Sequence, residues 1–214
     1  MSSSLPVAGT AVVLRDAAEG LQTLMLRRPD TGSFPGAWVF PGGRVEPGDA
    51  VAGESETDAA RRAAVRETLE ETGLRIADAE ALSHWMPPPD IPRRYSTWFF
   101  LARDLGDEVR LNPGEIADAA WMTPEKVFAG HVDGAITLMP PTWVTLHGLL
   151  GHRTVDEAYA ALGELQRYET RMTTIPGGLR AMWQGDEEHP EVPGAPGARH
   201  RLTMAARPWS YERS

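Results

Sequence analysis

Three glutamates at residues 67, 70 and 71 have the spacing of a cation site. They stand at i, i+3 and i+4, and on a helix this spacing places all three carboxylates on one face. Like charges on one face repel each other, so a cation between them relieves the repulsion. Clustered carboxylate oxygens suit Mg²⁺ or Mn²⁺, ions that commonly act on phosphates. Taken alone, the spacing also fits a solvated acidic helix face, so the surrounding residues must decide between the two.

The elements that position these glutamates can be predicted from their neighbours. Ser55 followed by Asp58 has the form of a capping box, which predicts a helix start. Gly73 predicts the helix end, because glycine readily adopts the left-handed conformation of a C-cap. Upstream, residues 40–43 (Phe-Pro-Gly-Gly) predict a tight turn whose glycines would let a phosphate approach the backbone.

The rest of the chain predicts an α+β fold. Residues 8–15 and 21–28 read as a β-hairpin, and residues 179–184 and 200–205 as a second one around a Pro/Gly-rich loop that we expect to be mobile or disordered. Further strands are predicted at 37–40, 80–86, 95–103 and 116–122, and further helices after Thr123, at 142–150 and at 155–169. This order indicates an α/β/α sandwich around a mixed sheet, with a C-terminal helical extension and hairpin. We expect a main domain at residues 1–150, with residues 151–214 packed on it as a helix and tail.

Composition excludes several classes of protein. The 214-residue chain has a net charge of -9, which argues against nucleic acid or an acidic membrane as a partner. The absence of cysteine excludes disulfides, thiolate metal sites and cysteine nucleophiles. Residues 1–9 lack a secretory signal pattern, and no stretch has the length of a membrane span. We therefore expect a cytoplasmic protein that acts on a small molecule.

The segment around the glutamates resembles the signature of the Nudix hydrolases. Residues 66–74 (Arg-Glu-Thr-Leu-Glu-Glu-Thr-Gly-Leu) match its second half almost completely, and residues 40–49 match its first half. Thr68 departs from the pattern, because this position is usually apolar in the family. The resemblance covers residues 8–130 most strongly.

A nine-residue insertion, residues 50–58, is the largest departure from that signature. Asp49 lies six residues after the glycine pair, where the family has a glutamate, while Asp58 restores the family's spacing to Arg66. Either aspartate can fill the first acidic position, and the helix register favours Asp58. The interrupted signature is similar to a branch related to the coenzyme A diphosphatases, as are residues 92–100.

The resemblance implies a reaction and a metal site. Nudix hydrolases split the pyrophosphate of a nucleoside diphosphate linked to another moiety, with Mg²⁺ or Mn²⁺ as cofactor. Arg66 would orient the glutamates by ion pairing, although an ordinary surface salt bridge is the alternative. Glu67 is the leading candidate for the general base. The implied metal ligands are Glu67, Glu70, Glu71, the carbonyl of Gly43 (or of its neighbour Gly42) and Glu115, the last of which could equally be an exposed loop carboxylate.

Candidate substrate-binding residues are four arginines and a tryptophan. The arginines would bind phosphates and the tryptophan would stack on a base, with solvated strand ends and core packing as the alternatives. They are Arg27, Arg44, Arg93, Arg94 and Trp98. Among substrates the resemblance favours coenzyme A or acyl-CoA, followed by ADP-ribose or a dinucleotide. A non-catalytic nucleotide-binding Nudix sensor is a further alternative, although such sensors typically lose the glutamates that are present here. The family often dimerises, so a homodimer is also compatible with the resemblance.

Overall fold

The computed structural model describes residues 5–32, 34–92 and 94–214. Its main feature is an eight-stranded sheet with the order β3-β2-β1-β6-β5-β8, in which β4 also pairs with β1 and β7 with β2. The β1–β6 and β5–β8 pairs are parallel and the others antiparallel. The strands are β1 (Val7–Ala17), β2 (Gly20–Arg27), β3 (Trp38–Val39), β4 (Gly42–Arg44), β5 (Ile76–Met86), β6 (Ser96–Asp104), β7 (Asp118–Met122) and β8 (Gln166–Glu169).

Helix α1 (Glu56–Thr72) covers one face of this sheet. The Ser55 hydroxyl accepts a hydrogen bond from the backbone N–H three residues later, and Gly73 ends the helix at a φ of 73°. A Cβ on Gly9 of β1 would lie 1.8 Å from the carbonyl oxygen of Ala60, so glycine is needed for so close an approach. The predicted start and end of this helix are confirmed.

The opposite face is covered by three helices and a second sheet. These elements contribute buried side chains such as Val127, Trp143, Trp183 and Leu202 to one core cluster with the strands of the main sheet. The helices are α2 (Pro124–Val132), α3 (Pro140–Leu149) and α4 (Val155–Ala160), and the second, antiparallel sheet has the order β12-β11-β10-β9, formed by β9 (Arg171–Ile175), β10 (Gly178–Met182), β11 (His200–Met204) and β12 (Ser210–Arg213). The fold is therefore α+β with a mixed central sheet, as predicted.

The structure of the C-terminal third contradicts one prediction. A helix over residues 155–169 is wrong, because α4 ends at Ala160 and residues 166–169 form β8 on the edge of β5. Tyr168 of β8 stacks on Trp85 with ring centroids 3.8 Å apart, a contact between residues far apart in sequence. The loop at residues 185–197 packs around the fully buried Asp186, and its mobility stays a prediction. The second predicted hairpin is confirmed by the β10–β11 pair.

Within the described ranges, no helix is both long and apolar enough to cross a membrane.

Candidate functional site

The guanidinium of Arg66 connects three carboxylates. Its Nε and Nη2 donate to the two oxygens of Asp49 at 3.1 and 2.9 Å. Its Nη1 donates to Glu67 at 3.0 Å and to Glu70 at 2.9 Å. The hydrogen bonds to Asp49 raise the pKa of Arg66 above its usual value. Because both ends of the guanidinium are held, Arg66 fixes the positions of the two glutamates relative to the turn that carries Asp49.

Asp49, and not Asp58, is the aspartate that binds Arg66. Asp49 ends a 3-10 turn (Pro47–Asp49) and is 4% exposed. The hydrogen bonds from Arg66 hold the pKa of Asp49 below its usual value. Asp58 instead caps α1 through Ser55 and pairs with Arg61. The preference for Asp58 is therefore wrong, because the inserted residues fold out of the way and leave Asp49 facing the helix.

Arg62, which the sequence did not single out, fastens the inserted segment to α1. Its Nε donates to the carbonyl oxygen of Asp49 at 2.6 Å, and its Nη2 pairs with Glu54 inside the insertion. Arg62 and Arg66 lie one helical turn apart, so consecutive turns of α1 hold the backbone and the side chain of Asp49. This contact pattern explains how a longer connection still delivers Asp49 to Arg66.

The glycine pair lies directly against the glutamates. The N–H of Gly42 donates to Glu71 Oε2 at 3.0 Å. A Cβ on Gly43 would lie 2.3 Å from the carboxylate of Glu67. Any larger residue at position 43 would therefore displace that carboxylate. The pair brings the backbone of β4 and two acidic side chains into one small space.

This space carries an excess of negative charge. Burial raises the pKa of Glu71 to about 7, against the opposing effect of the Gly42 N–H. Burial also raises the pKa of Glu67. The nearest arginine to Glu71 is Arg28, whose Nη1 is 3.9 Å from Glu71 Oε1. A carboxylate desolvated without a close cation is destabilised when charged, so these groups favour an additional cation.

Glu115 lies beside this cluster on an exposed turn. The turn is tied to the end of α1, since the N–H of Asn112 donates to the Glu71 carbonyl at 3.0 Å. The negative charge of Glu115 also contributes to raising the pKa of both Glu67 and Glu71. The structure therefore brings Glu115 close to Glu67 and Glu71.

A NUDIX domain model matches residues 5–140. The chain belongs to the NUDIX family.

Curated relatives in this family act on nucleotides according to their names. The chain is 29% identical over 109 residues to a Bacillus subtilis protein named for 8-oxo-dGTP diphosphatase activity, covering 51% of this chain and 62% of the relative. It is 32% identical to the m7GpppN-mRNA hydrolase NUDT17 of Danio rerio, covering 59% of this chain and 45% of the relative. The chain thus matches about half to three fifths of the length of these curated relatives.

A solved NUDIX structure supports the fold. The NUDIX hydrolase of Alicyclobacillus acidocaldarius superposes with a TM-score of 0.67 at 24% identity, over 76% of this chain and 99% of that one. At this identity the likeness shows the fold. Nudix hydrolases generally use divalent metals. In the matched region of this chain, we refer to Glu67, Glu70, Glu71 and Glu115 as the acidic cluster.

The described carboxylates are held apart in this structure. Within residues 5–32, 34–92 and 94–214, no three His, Asp or Glu side chains form a ready metal-binding group. Arg66 draws Glu67 and Glu70 towards itself, while Gly42 holds Glu71. The donor set is nevertheless one of hard oxygens, as Mg²⁺ and Mn²⁺ require. Small side-chain rotations would be needed to bring these oxygens together.

The predicted phosphate-binding arginines are placed differently from one another. Arg27 pairs with Asp30 at 2.5 Å, while its neighbour Arg28 faces Glu71. The carbonyl of Arg44 accepts from Arg66, and its side chain is 63% exposed next to the cluster. Arg94 is half-buried just before β6. Arg93 lies outside the described residues.

Trp98 does not lie in an open site. Its ring is 6% exposed beneath α1, stacked on His84 with centroids 4.2 Å apart. Its indole N–H donates to Glu56 at 2.9 Å. The prediction that Trp98 stacks on a substrate base is contradicted by this burial. Large aromatic rings on a sheet are usually buried against a helix, and sequence alone does not distinguish the two uses.

Proposed function

We propose that this protein is a divalent-metal-dependent hydrolase that cleaves the pyrophosphate bond of a nucleoside diphosphate linked to another moiety. The observation that carries the proposal is the excess of desolvated carboxylate around the glycine pair, where burial raises the pKa of Glu71 to about 7. The family membership and the nucleotide hydrolase names of two relatives support the same reaction.

Mg²⁺ or Mn²⁺ would be held by the oxygens of this cluster. When bound, such an ion neutralises phosphate charge and lowers the pKa of a coordinated water. The ligands that we propose are Glu67, Glu70, Glu71, the carbonyl of Gly43 and Glu115. They fit the ion because they are oxygen donors that carry more negative charge than the neighbouring arginines balance.

The residues of the site would also hold the glutamates in place, accept a proton and bind the substrate phosphates. Arg66 orients Glu67 and Glu70 while Asp49 anchors it. Burial raises the pKa of Glu67 above its ordinary value, which makes its carboxylate a stronger general base. The exposed side chain of Arg44 and the nearby Arg28 would bind the substrate phosphates.

Replacing Glu70 by glutamine tests the metal site. Glu70 is 51% exposed, so Glu70→Gln removes a charge without disturbing the core. We expect kcat for pyrophosphate cleavage to fall by about 100-fold or more, with the melting temperature nearly unchanged. The matched control is Glu164→Gln, a change of the same kind at an exposed position away from the site. Wild-type turnover by Glu70→Gln would sink the assignment.

For the substrate, we propose coenzyme A or an acyl-CoA, with ADP-ribose or a dinucleotide as the alternative. The proposal is supported by the nine-residue insertion after Asp49 and by the resemblance of residues 92–100 to the Nudix branch related to the coenzyme A diphosphatases. Side-by-side kcat/KM values for coenzyme A, ADP-ribose, NADH and diadenosine polyphosphates will test it. A clear preference for ADP-ribose would discard coenzyme A. Binding without metal-dependent turnover of any compound would instead favour a nucleotide sensor.

Three further expectations stay predictions: a cytoplasmic location, a homodimer, and a division of the chain near residue 150. A small-molecule substrate rather than nucleic acid is consistent with the net charge of -9.

A further inference from the structure

A pocket lies on the face of the main sheet opposite to α1. It has a volume of about 530 Å³ and is formed by α2, α3 and the chain leading into β12. Because α1 and the acidic cluster lie on the other face, this pocket is separate from the site described above. Six aromatic rings line it: Phe128, His131, Trp143, His147, Trp209 and Tyr211.

These rings support one another in two groups. Phe128 meets Trp143 edge-on with centroids 4.9 Å apart, and His147 stacks on Trp143 at 5.3 Å. Trp209 meets His131 edge-on at 4.6 Å. Aromatic contacts of this kind hold rings in fixed orientations at little entropic cost. The pocket is therefore preorganised for a ligand that interacts with ring surfaces.

The charges at the pocket favour a positively charged ligand. Glu125 lines it, and none of its described lining residues is Lys or Arg. Burial lowers the pKa of His131 and of His147, which keeps both imidazoles uncharged at neutral pH. Arg207 lies near enough to contribute to the lowered pKa of His131 but does not line the pocket. Aromatic faces and a carboxylate attract an organic cation and repel an anion.

Two of the lining residues carry a buried polar atom without a partner, and two others form an apolar rim. His131 Nε2 and Trp143 Nε1 have no hydrogen-bond partner among the described residues. His131 Nδ1 lies 3.0 Å from the Ile136 carbonyl and must donate to it, so Nε2 is an acceptor, whereas the indole N–H is a donor. Val132 and Leu150, which are 46% and 38% exposed, offer alkyl contacts at the rim.

We propose that this pocket binds a small alkylated ammonium compound, with the cationic head against the aromatic rings and Glu125. The site is independent of pyrophosphate hydrolysis and would be present whatever substrate the acidic cluster takes.

Calorimetric titration with choline and with 3,3-dimethyl-1-butanol tests the proposal on the full chain. The two compounds have the same shape and hydroxyl, but the second replaces the quaternary nitrogen by carbon and is neutral. We expect choline to bind at least about tenfold more tightly, since an aromatic pocket discriminates a cation from its neutral isostere. Equal affinities, or no saturable binding of choline, would overturn the proposal.

Two variants locate the binding. Trp209 is half-buried, and Trp209→Leu should weaken choline binding at least about fivefold. Glu125→Gln, at an exposed position in the first turn of α2, should weaken it about two- to fivefold and gives a result even if the tryptophan variant does not fold. Trp121→Leu, which removes a ring on the α1 side of the sheet, is the matched control and should leave the affinity unchanged. Unchanged affinity in Glu125→Gln together with full binding by any folded Trp209 variant would refute this location.

Discussion

Two arginine–carboxylate clusters in this protein differ in how completely they are paired. In the C-terminal sheet, Arg201 binds both oxygens of Asp186 and also Glu188. Two backbone N–H groups, of His200 and Glu188, donate to Asp186 at 2.8 and 2.9 Å. In the cluster around Arg66, by contrast, one guanidinium is shared among three carboxylates and Glu71 has only a distant arginine.

The pKa values follow from this difference. Burial alone would raise the pKa of Asp186, but Arg201 and the backbone donors hold it at about 2. Burial raises the pKa of Glu71 to about 7 because a single backbone N–H opposes it weakly. A fully satisfied buried ion pair keeps the fold in place, whereas unsatisfied carboxylates are available to a ligand. The Asp186 cluster is thus fully paired, whereas the Arg66 cluster, which we propose binds a metal, is not.

The largest expected effect is on stability, at the C-terminal cluster. Arg201→Met leaves the fully buried Asp186 without its cation and should lower the free energy of unfolding by about 3–5 kcal/mol. Turnover per folded molecule should stay at the wild-type level. Urea denaturation checks the first expectation and kcat the second. The control, Arg75→Met, breaks an exposed pair and should cost under about 1 kcal/mol. Equal losses in the two variants would erase the distinction between the clusters.

The next effect is on catalysis, at the Arg66 cluster. Asp49→Asn removes the charge that anchors Arg66 and should lower kcat/KM by about 10- to 100-fold, because the glutamates lose their fixed positions. The metal concentration for half-maximal activity should rise as well, which a purely structural role of Asp49 would not explain. Asp58→Asn should leave kcat/KM unchanged, since Asp58 caps α1 and pairs with Arg61 but does not contact Arg66. The reverse ranking of the two variants would reinstate Asp58 as the acidic partner.

The smallest effect is a difference in pH dependence. The folded-state pKa of Glu71, about 7, lies above its ordinary value of 4.5, so folding favours the protonated form. The contribution of the Glu71 carboxyl to the free energy of unfolding is fully present below pH 4.5 and is lost as pH rises through 7. In EDTA, Glu71→Gln should therefore be about 1–3 kcal/mol more stable than wild type at pH 8, and the gap should close towards pH 5. Urea titrations from pH 5 to 8 measure this, and a constant gap would contradict it.

Asp186 should show the opposite trend. Its pKa of about 2 is below the ordinary 3.8, so its contribution to stability is present above pH 3.8 and is lost as pH falls towards 2.

The predictable parts of the molecule are those set by local sequence. The capping box at Ser55, the left-handed glycine at 73 and the apolar runs of the first two strands each act within a few residues, and the helix bounds and the first hairpin that they predict are confirmed. The approach of Glu67 and Glu71 to the glycine pair also follows from a helix that the sequence specifies, although the two glycines lie in strand β4 and not in the predicted turn.

The parts that could not be predicted depend on contacts distant in sequence. Asp49 reaches Arg66 only because Arg62 holds the inserted segment, and nothing near Asp49 indicates that contact. Trp98 has the same residue type whether it binds a base or lies under a helix. Residues 166–169 became a strand because the edge of β5 was open to them. Long-range pairing of this kind overrides local propensity.

The parallel pairing of β8 with β5 also determines how long the edge of β5 stays unpaired while the chain is synthesised. The pairing joins Ser83 to Gln166 and Met86 to Glu169, so more than eighty residues must be synthesised after that part of β5 before its edge is covered. During this interval a nascent chain presents unpaired backbone groups to its neighbours, a common route to aggregation. Residues 166–169 thus complete the main sheet last, and their pairing with β5 covers an edge that would otherwise favour aggregation.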